Sequence, residues 1–170
     1  MTQQTLRLSR TVEADVEAVW DVLTDLTRAA ERLSGLDSVQ VMTSGPYAVG
    51  TRWRETRSFF GRSHTEEMWV RRNHPLRSTV VEAGEGETTY STVWALEPHG
   101  EVDEEGRSSA TRLSLTFTGT SSDSALNRAA MTVIGPLGLR ATRRALERDL
   151  DDIAAAAEAS PRDPGRAGRA

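Results

Sequence analysis

The chain has no cysteine, no lysine and no long apolar run, and each absence excludes something. Without cysteine there is no disulfide framework, no thiolate metal site and no thiol nucleophile. All 21 basic residues are arginine in an alanine-rich chain, the signature of GC-rich coding rather than of forks selected for phosphate. No stretch nears the ~20 apolar residues of a membrane span, and the N-terminal MTQQTLRLSRTV lacks a signal-peptide core. The expectation is a soluble, cytoplasmic protein. The net charge is −4, and the C-terminal segment carries Arg162, Arg166 and Arg169 against Asp163, so the body is more acidic than the whole. An acidic body without a basic stripe argues against nucleic acid as a partner.

What is present is the patterning of one globular domain. At 170 residues, 37% apolar and 27% charged, the chain is long enough to bury a core. Alternation over Thr5 to Val12 predicts a half-buried strand. Asp15 then caps a helix whose Val16, Val19, Trp20 and Leu23 recur at spacings of three and four, and a second short helix follows over Thr27 to Leu33. Strands are expected over Ser38–Thr43, Thr51–Phe60, Arg62–Asn73, Arg77–Ala83, Glu87–Glu97 and Ala110–Gly119, with turns at Gly45-Pro46, Gly61, Pro75 and Gly84/Gly86. Pro98 to Ser109 reads as a polar, acidic loop. Helix is expected from about Ser124 to Glu158, restarted at Pro136, with Leu139, Thr142, Leu146, Leu150, Ile153 and Ala157 on one stripe. The division is a domain over 1–159 and a disordered tail over 160–170. The fold class is α+β: a curved antiparallel sheet of about seven strands around a long C-terminal helix, with two short helices after the first strand.

Specific residues carry a resemblance. The run Val12-Glu13-Ala14-Asp15-Val16-Glu17-Ala18-Val19-Trp20-Asp21-Val22-Leu23-Thr24-Asp25 resembles the opening of the START-like SRPBCC superfamily. Gly45-Pro46, Val49-Gly50-Thr51-Arg52-Trp53-Arg54-Glu55, Met68-Trp69-Val70 ahead of Pro75, and Ala110-Thr111-Arg112-Leu113 are similar to its later landmarks, although alanine stands at 110 where glycine is usual. The likeness is greatest to the polyketide cyclase/dehydrase-like branch. It implies the helix-grip fold, with a cavity between the sheet and the terminal helix that receives a hydrophobic small molecule of lipid or polyketide/aromatic type. It implies no cofactor and no shared catalytic motif.

Strand parity nominates the residues lining such a cavity. Leu113, Leu115 and Phe117 share a face. Tyr90, Trp94 and Leu96 on the preceding strand, and Met68 and Val70 on theirs, are assigned to it as well. The same register brings His64 and Glu66 inward, and Trp53 brings Glu55 and Arg57. Buried charge must pair, meet water or touch a ligand. The polar set therefore either orients a ligand or pairs internally, as Glu55–Arg57 or Glu66–Arg57, with His64 solvated beside Gly61. Two alternatives stand beside simple binding. In an aromatase/cyclase-like enzyme, Arg57, His64, Glu66 or Tyr90 would position and enolise a poly-ketone. In an interaction module without a ligand, Trp69, opposite in parity to Met68 and Val70, would mark a partner or homodimer surface. Three histidines, two of them beside prolines, give no basis for a metal site.

Overall fold

A computed structural model describes residues 2–59, 61–85, 88–121 and 136–160. The helix start expected near Ser124 and nearly all of the expected tail lie outside these residues. The order is β1 (Thr2–Val12), α1 (Val16–Thr24), a 3-10 turn (Leu26–Arg28) running into α2 (Ala29–Arg32), β2 (Ser38–Val41), β3 (Arg52–Phe59), β4 (Arg62–His74), β5 (Ser78–Glu85), β6 (Thr88–Val102), β7 (Ser108–Ser121) and α3 (Pro136–Glu158). The strands form one curved antiparallel sheet in the order β1-β7-β6-β5-β4-β3-β2. Consecutive strands from β2 to β7 are neighbours, and β1 completes the far edge. This is the helix-grip arrangement expected.

Local chemistry explains the boundaries. The Asp15 carboxylate accepts from the Ala18 amide at 2.8 Å, satisfying one of the donors that a helix start leaves unpaired. The helix it starts buries Val19, Trp20 and Val22 on one face. Gly61 takes φ 73° where Phe59 and Arg62 pair across the β3–β4 turn, a conformation in which a Cβ is strained. In the next turn of this kind, residue 76 is leucine at φ 63° behind Pro75, and the Arg77 amide donates to the His74 carbonyl at 3.0 Å.

One expectation fails. The segment Pro98–Ser109 is not a loop: β6 runs on to Val102 and β7 starts at Ser108, with Pro98 opposite Thr111 and His99 opposite Ala110 before an irregularity. A proline is tolerated because β6 has outrun β5, whose pairing ends at Ser78–Ala95, so the missing donor falls on an open edge. Beyond its neighbours, the β6–β7 pair projects as a two-stranded arm.

Two apolar clusters sit on the sheet's inner side. The larger joins Val12, Val19, Trp20, Leu96, Leu113 and Leu115 to Leu150, Ile153, Ala154 and Ala157 of α3. The smaller gathers Trp53, Val70 and Val81, with Leu26, Val39, Tyr47 and Met68 against it. The Arg10–Asp151 ion pair, the Ser34 amide and hydroxyl on Asp152 (both 2.7 Å), and the Glu13 amide on Glu158 fix α3 in place.

Candidate functional site

Register decides which side chains share the inner face, because directly paired residues of antiparallel strands point the same way. One cross-strand row reads Trp53, Met68, Ala83, Tyr90, Gly119 and Gln4. The next reads Val70, Val81, Thr92, Phe117 and Leu6, and the one after it joins Thr79, Trp94, Leu115 and Leu8. Glu55 pairs with Glu66 and Arg57 with His64 beyond the Trp53–Met68 pair. All eleven nominated residues therefore lie on the face that α3 covers.

They do not have equal access. Leu113 and Leu115, at 0% and 1% exposed, are packed beneath α3 and present no surface to a ligand. Trp53, at 4%, is held in the smaller cluster. On this face the packing of α3 and of the β2–β3 loop uses these three as core. Met68, Tyr90, Trp94 and Phe117 remain half-buried between the clusters, with Tyr90 and Phe117 stacked at 5.8 Å and 20°. His64 and Glu66 are exposed and engaged in interactions near the Gly61 turn.

The polar set organises around Arg57. Its Nε donates to Glu55 at 2.8 Å, and its two terminal nitrogens donate to the carboxylate of Asp149 at 3.1 and 2.9 Å. The Trp53 indole N–H donates to the other Glu55 oxygen at 3.3 Å. Burial disfavours the guanidinium charge, but the two carboxylates outweigh it and hold Arg57 above its ordinary range. For Asp149, burial pushes the carboxyl up and the arginine fork offsets only part of that. The expected Glu55–Arg57 pair is present. Asp149, at 3% exposed, was not anticipated. Its signal was available: positions 146, 149, 150 and 153 share one helical stripe, and a single acid among leucines and isoleucine demands a partner.

Tyr47 is the second residue that the sequence reading missed. It packs edge-on against Trp20 at 6.4 Å and tilted against Trp53 at 6.5 Å, with its hydroxyl 3.0 Å from that of Thr79. The β2–β3 loop thereby plugs one end of the inner face. Burial pushes the Tyr47 hydroxyl up to about 12, partly offset by the Thr79 hydrogen bond. On its outer side Tyr47 joins Asp21, Thr24, Asp25 and Arg32 around a depression of about 420 Å³. A second depression, of about 320 Å³, lies between β1 and α3 and includes Arg7, Arg10, Arg143 and Glu147. Neither contains a nominated residue.

Trp69 lies on the convex face as parity implies, but Arg52 stacks over its ring at 5.6 Å and its indole donates to Glu82 at 3.2 Å, so it is not a bare patch. Among the described residues, no three histidine or acidic side chains are grouped to hold a metal ion, and no helix is long and apolar enough to cross a membrane.

Comparison with known proteins matches the chain to a family. Residues 3–158 fit the family described as polyketide cyclase/dehydrase and lipid transport. The chain belongs to that family. The Zhui aromatase/cyclase from Streptomyces sp. R1128 superposes with a TM-score of 0.72 at 18% identity, covering 92% of this chain and 94% of that one. TTHA0849 from Thermus thermophilus gives 0.71 at 18%, over 91% and 97%. Truncated norcoclaurine synthase from Thalictrum flavum gives 0.69 at 14%, over 94% and 96%. At these identities the likeness establishes the fold of this family member and no shared chemistry. No curated protein matches the chain in sequence.

Proposed function

We propose that this family member binds a hydrophobic small molecule, of lipid or polyketide/aromatic type, against the inner face of the sheet beneath α3. One observation carries the reading. Met68, Tyr90, Trp94 and Phe117 stand half-buried on the inner face, between two cores that leave them incompletely covered. Trp94 and Phe117 pack against the larger core and Met68 against the smaller, and the aromatic and thioether surface they leave uncovered is what an apolar ligand would cover, at roughly 25 cal/mol per Å² removed from water. The Glu55–Arg57–Asp149 group supplies a polar edge to that surface, and the family's description includes lipid transport.

A second reading, an aromatase/cyclase-like enzyme, draws on the likeness to Zhui and on the nearness of Arg57 and Tyr90 to the same strip. Arg57 is the natural group to polarise a ketone, but here three of its five N–H groups already donate to the two carboxylates. Binding leaves that pairing as it is and asks nothing of the guanidinium, whereas catalysis through Arg57 would draw on a charge already committed to two carboxylates. Binding is therefore the better-supported function.

The test is native mass spectrometry of protein purified from its own host, followed by thermal shift across fatty acids, sterols and aromatic polyketides. A co-purifying apolar molecule, or a Tm rise with one ligand class, supports binding. Recovery of bare protein with no shift across the panel overturns it. Turnover of a poly-ketone substrate that Arg57→Met abolishes would favour the enzyme.

A further inference from the structure

The two features at one end of the sheet are oppositely charged, and the proposed ligand site uses neither. The end of β4 and the turn after it carry Arg71, Arg72 and Arg77, all exposed and without an ion pair among the described residues, near Leu76 at 39% exposure. The leucine occupies a left-handed position that glycine would fill without strain, so an apolar side chain is held outward at a conformational cost. The β6–β7 arm carries Glu101, Asp103, Glu104 and Glu105 around Val102, which is 66% exposed, against the single cation Arg107. Arg107 donates to Asp103 and Glu105, leaving the acids in excess.

We propose that the occupant of this end is a second copy of the chain, with the acidic arm of each copy lying on the arginine turn of the other. Both features project from the same end, because β4 leads into its turn and β6 into its arm in the same direction. A two-fold axis through that end brings each arm to the partner's turn, the self-complementary exchange that a closed dimer requires. Leu76 and Val102 supply the apolar centre, and the charges set orientation. Two strand tips bury less than the ~1,600 Å² of a standard stable interface, so the dimer is weak and sensitive to salt.

Sedimentation of the full chain over a range of concentrations, at low and at high salt, tests this. Self-association at low salt that is lost at high salt is expected. Arg72→Glu with Arg77→Glu should give a monomer, as should Glu101→Arg with Glu104→Arg. Mixing the two reversed variants should restore a dimer, because each then offers the charge that the other's arm and turn need. Leu76→Gly should weaken association while leaving Tm unchanged or raised, which separates an interface role from a folding role. A wild-type monomer under all conditions, association indifferent to both reversals, or a mixture that stays monomeric each overturns the proposal. So does binding of the arginine turn to anionic vesicles by a chain that never self-associates.

Discussion

Arg57 of β3 and Asp149 of α3 are joined by two parallel hydrogen bonds, 92 residues apart in sequence. Through them the β2–β3 side of the sheet holds the helix whose main contacts are with β1 and α1. A paired charge in a mostly dry site is costly to break and cheap to replace, because losing one partner strands the other. Asp149→Ala is expected to destabilise by about 3 kcal/mol, reduced from the upper end because Glu55 still pairs Arg57. The double change Arg57→Met with Asp149→Leu should return stability to within about 1 kcal/mol of the original. Urea denaturation followed by tryptophan fluorescence measures both. A single mutant as stable as the wild type would show that the pair ties nothing.

Tyr47 makes the alkaline limit of the fold testable. Its hydroxyl is held at about 12 against an ordinary value of 10.0. Above the unfolded value the folded chain retains a proton that the unfolded chain has lost, so stability falls as pH rises between the two. The loss is roughly 1.4 kcal/mol for each pH unit in that window, and the contribution is whole below it. Tyrosinate absorbance should show one of the two tyrosines titrating late. Tyr47→Phe should remove that phase and, through the lost Thr79 hydrogen bond, cost about 1 kcal/mol near neutrality. If both tyrosines titrate together at the ordinary value, Tyr47 is not the plug described.

Asp15 illustrates what could be read directly. Its place before Val16, Val19, Trp20 and Leu23 predicts a cap, and the bond to the Ala18 amide is there. Asp15→Ala should cost about 1 kcal/mol, and Asp15→Asn much less. A chemical-denaturation midpoint unchanged by alanine would contradict the capping role.

Strand parity was equally legible, because period-two alternation needs no tertiary knowledge: the faces assigned to Leu113, Tyr90, Met68 and Glu55 are those the register shows. What could not be read was which of these residues the helix and the β2–β3 loop would cover. Covering depends on where α3 crosses the sheet, and no local pattern around Leu115 or Trp53 encodes that. Tyr47 is hidden for the same reason, since it makes sense only beside Trp20 and Thr79, distant in sequence. Asp149 shows locally as an acid on an apolar stripe, but nothing local names Arg57 as its partner. The arm was misread because proline argues against strand by a local rule, and only the end of β5 shows why the rule does not bind at Pro98.

The difference between covered and uncovered residues on one face gives the sharpest test of the site. Leu113 has no exposed surface, so Leu113→Ala should act through a cavity under α3 and destabilise by about 2–5 kcal/mol. Phe117 stacks on Tyr90 and is only partly enclosed, so Phe117→Ala should cost less stability. If the strip binds an apolar molecule, Phe117→Ala should instead weaken a fluorescent fatty-acid or aromatic probe about tenfold, equivalent to about 1.4 kcal/mol. Affinity of the Leu113→Ala protein, measured where it remains folded, should change far less. Thermal melts paired with probe titrations of the same samples separate the two effects. Should Phe117→Ala leave affinity untouched while Leu113→Ala abolishes it in folded protein, the ligand lies under the helix core and the strip between the clusters is not its site.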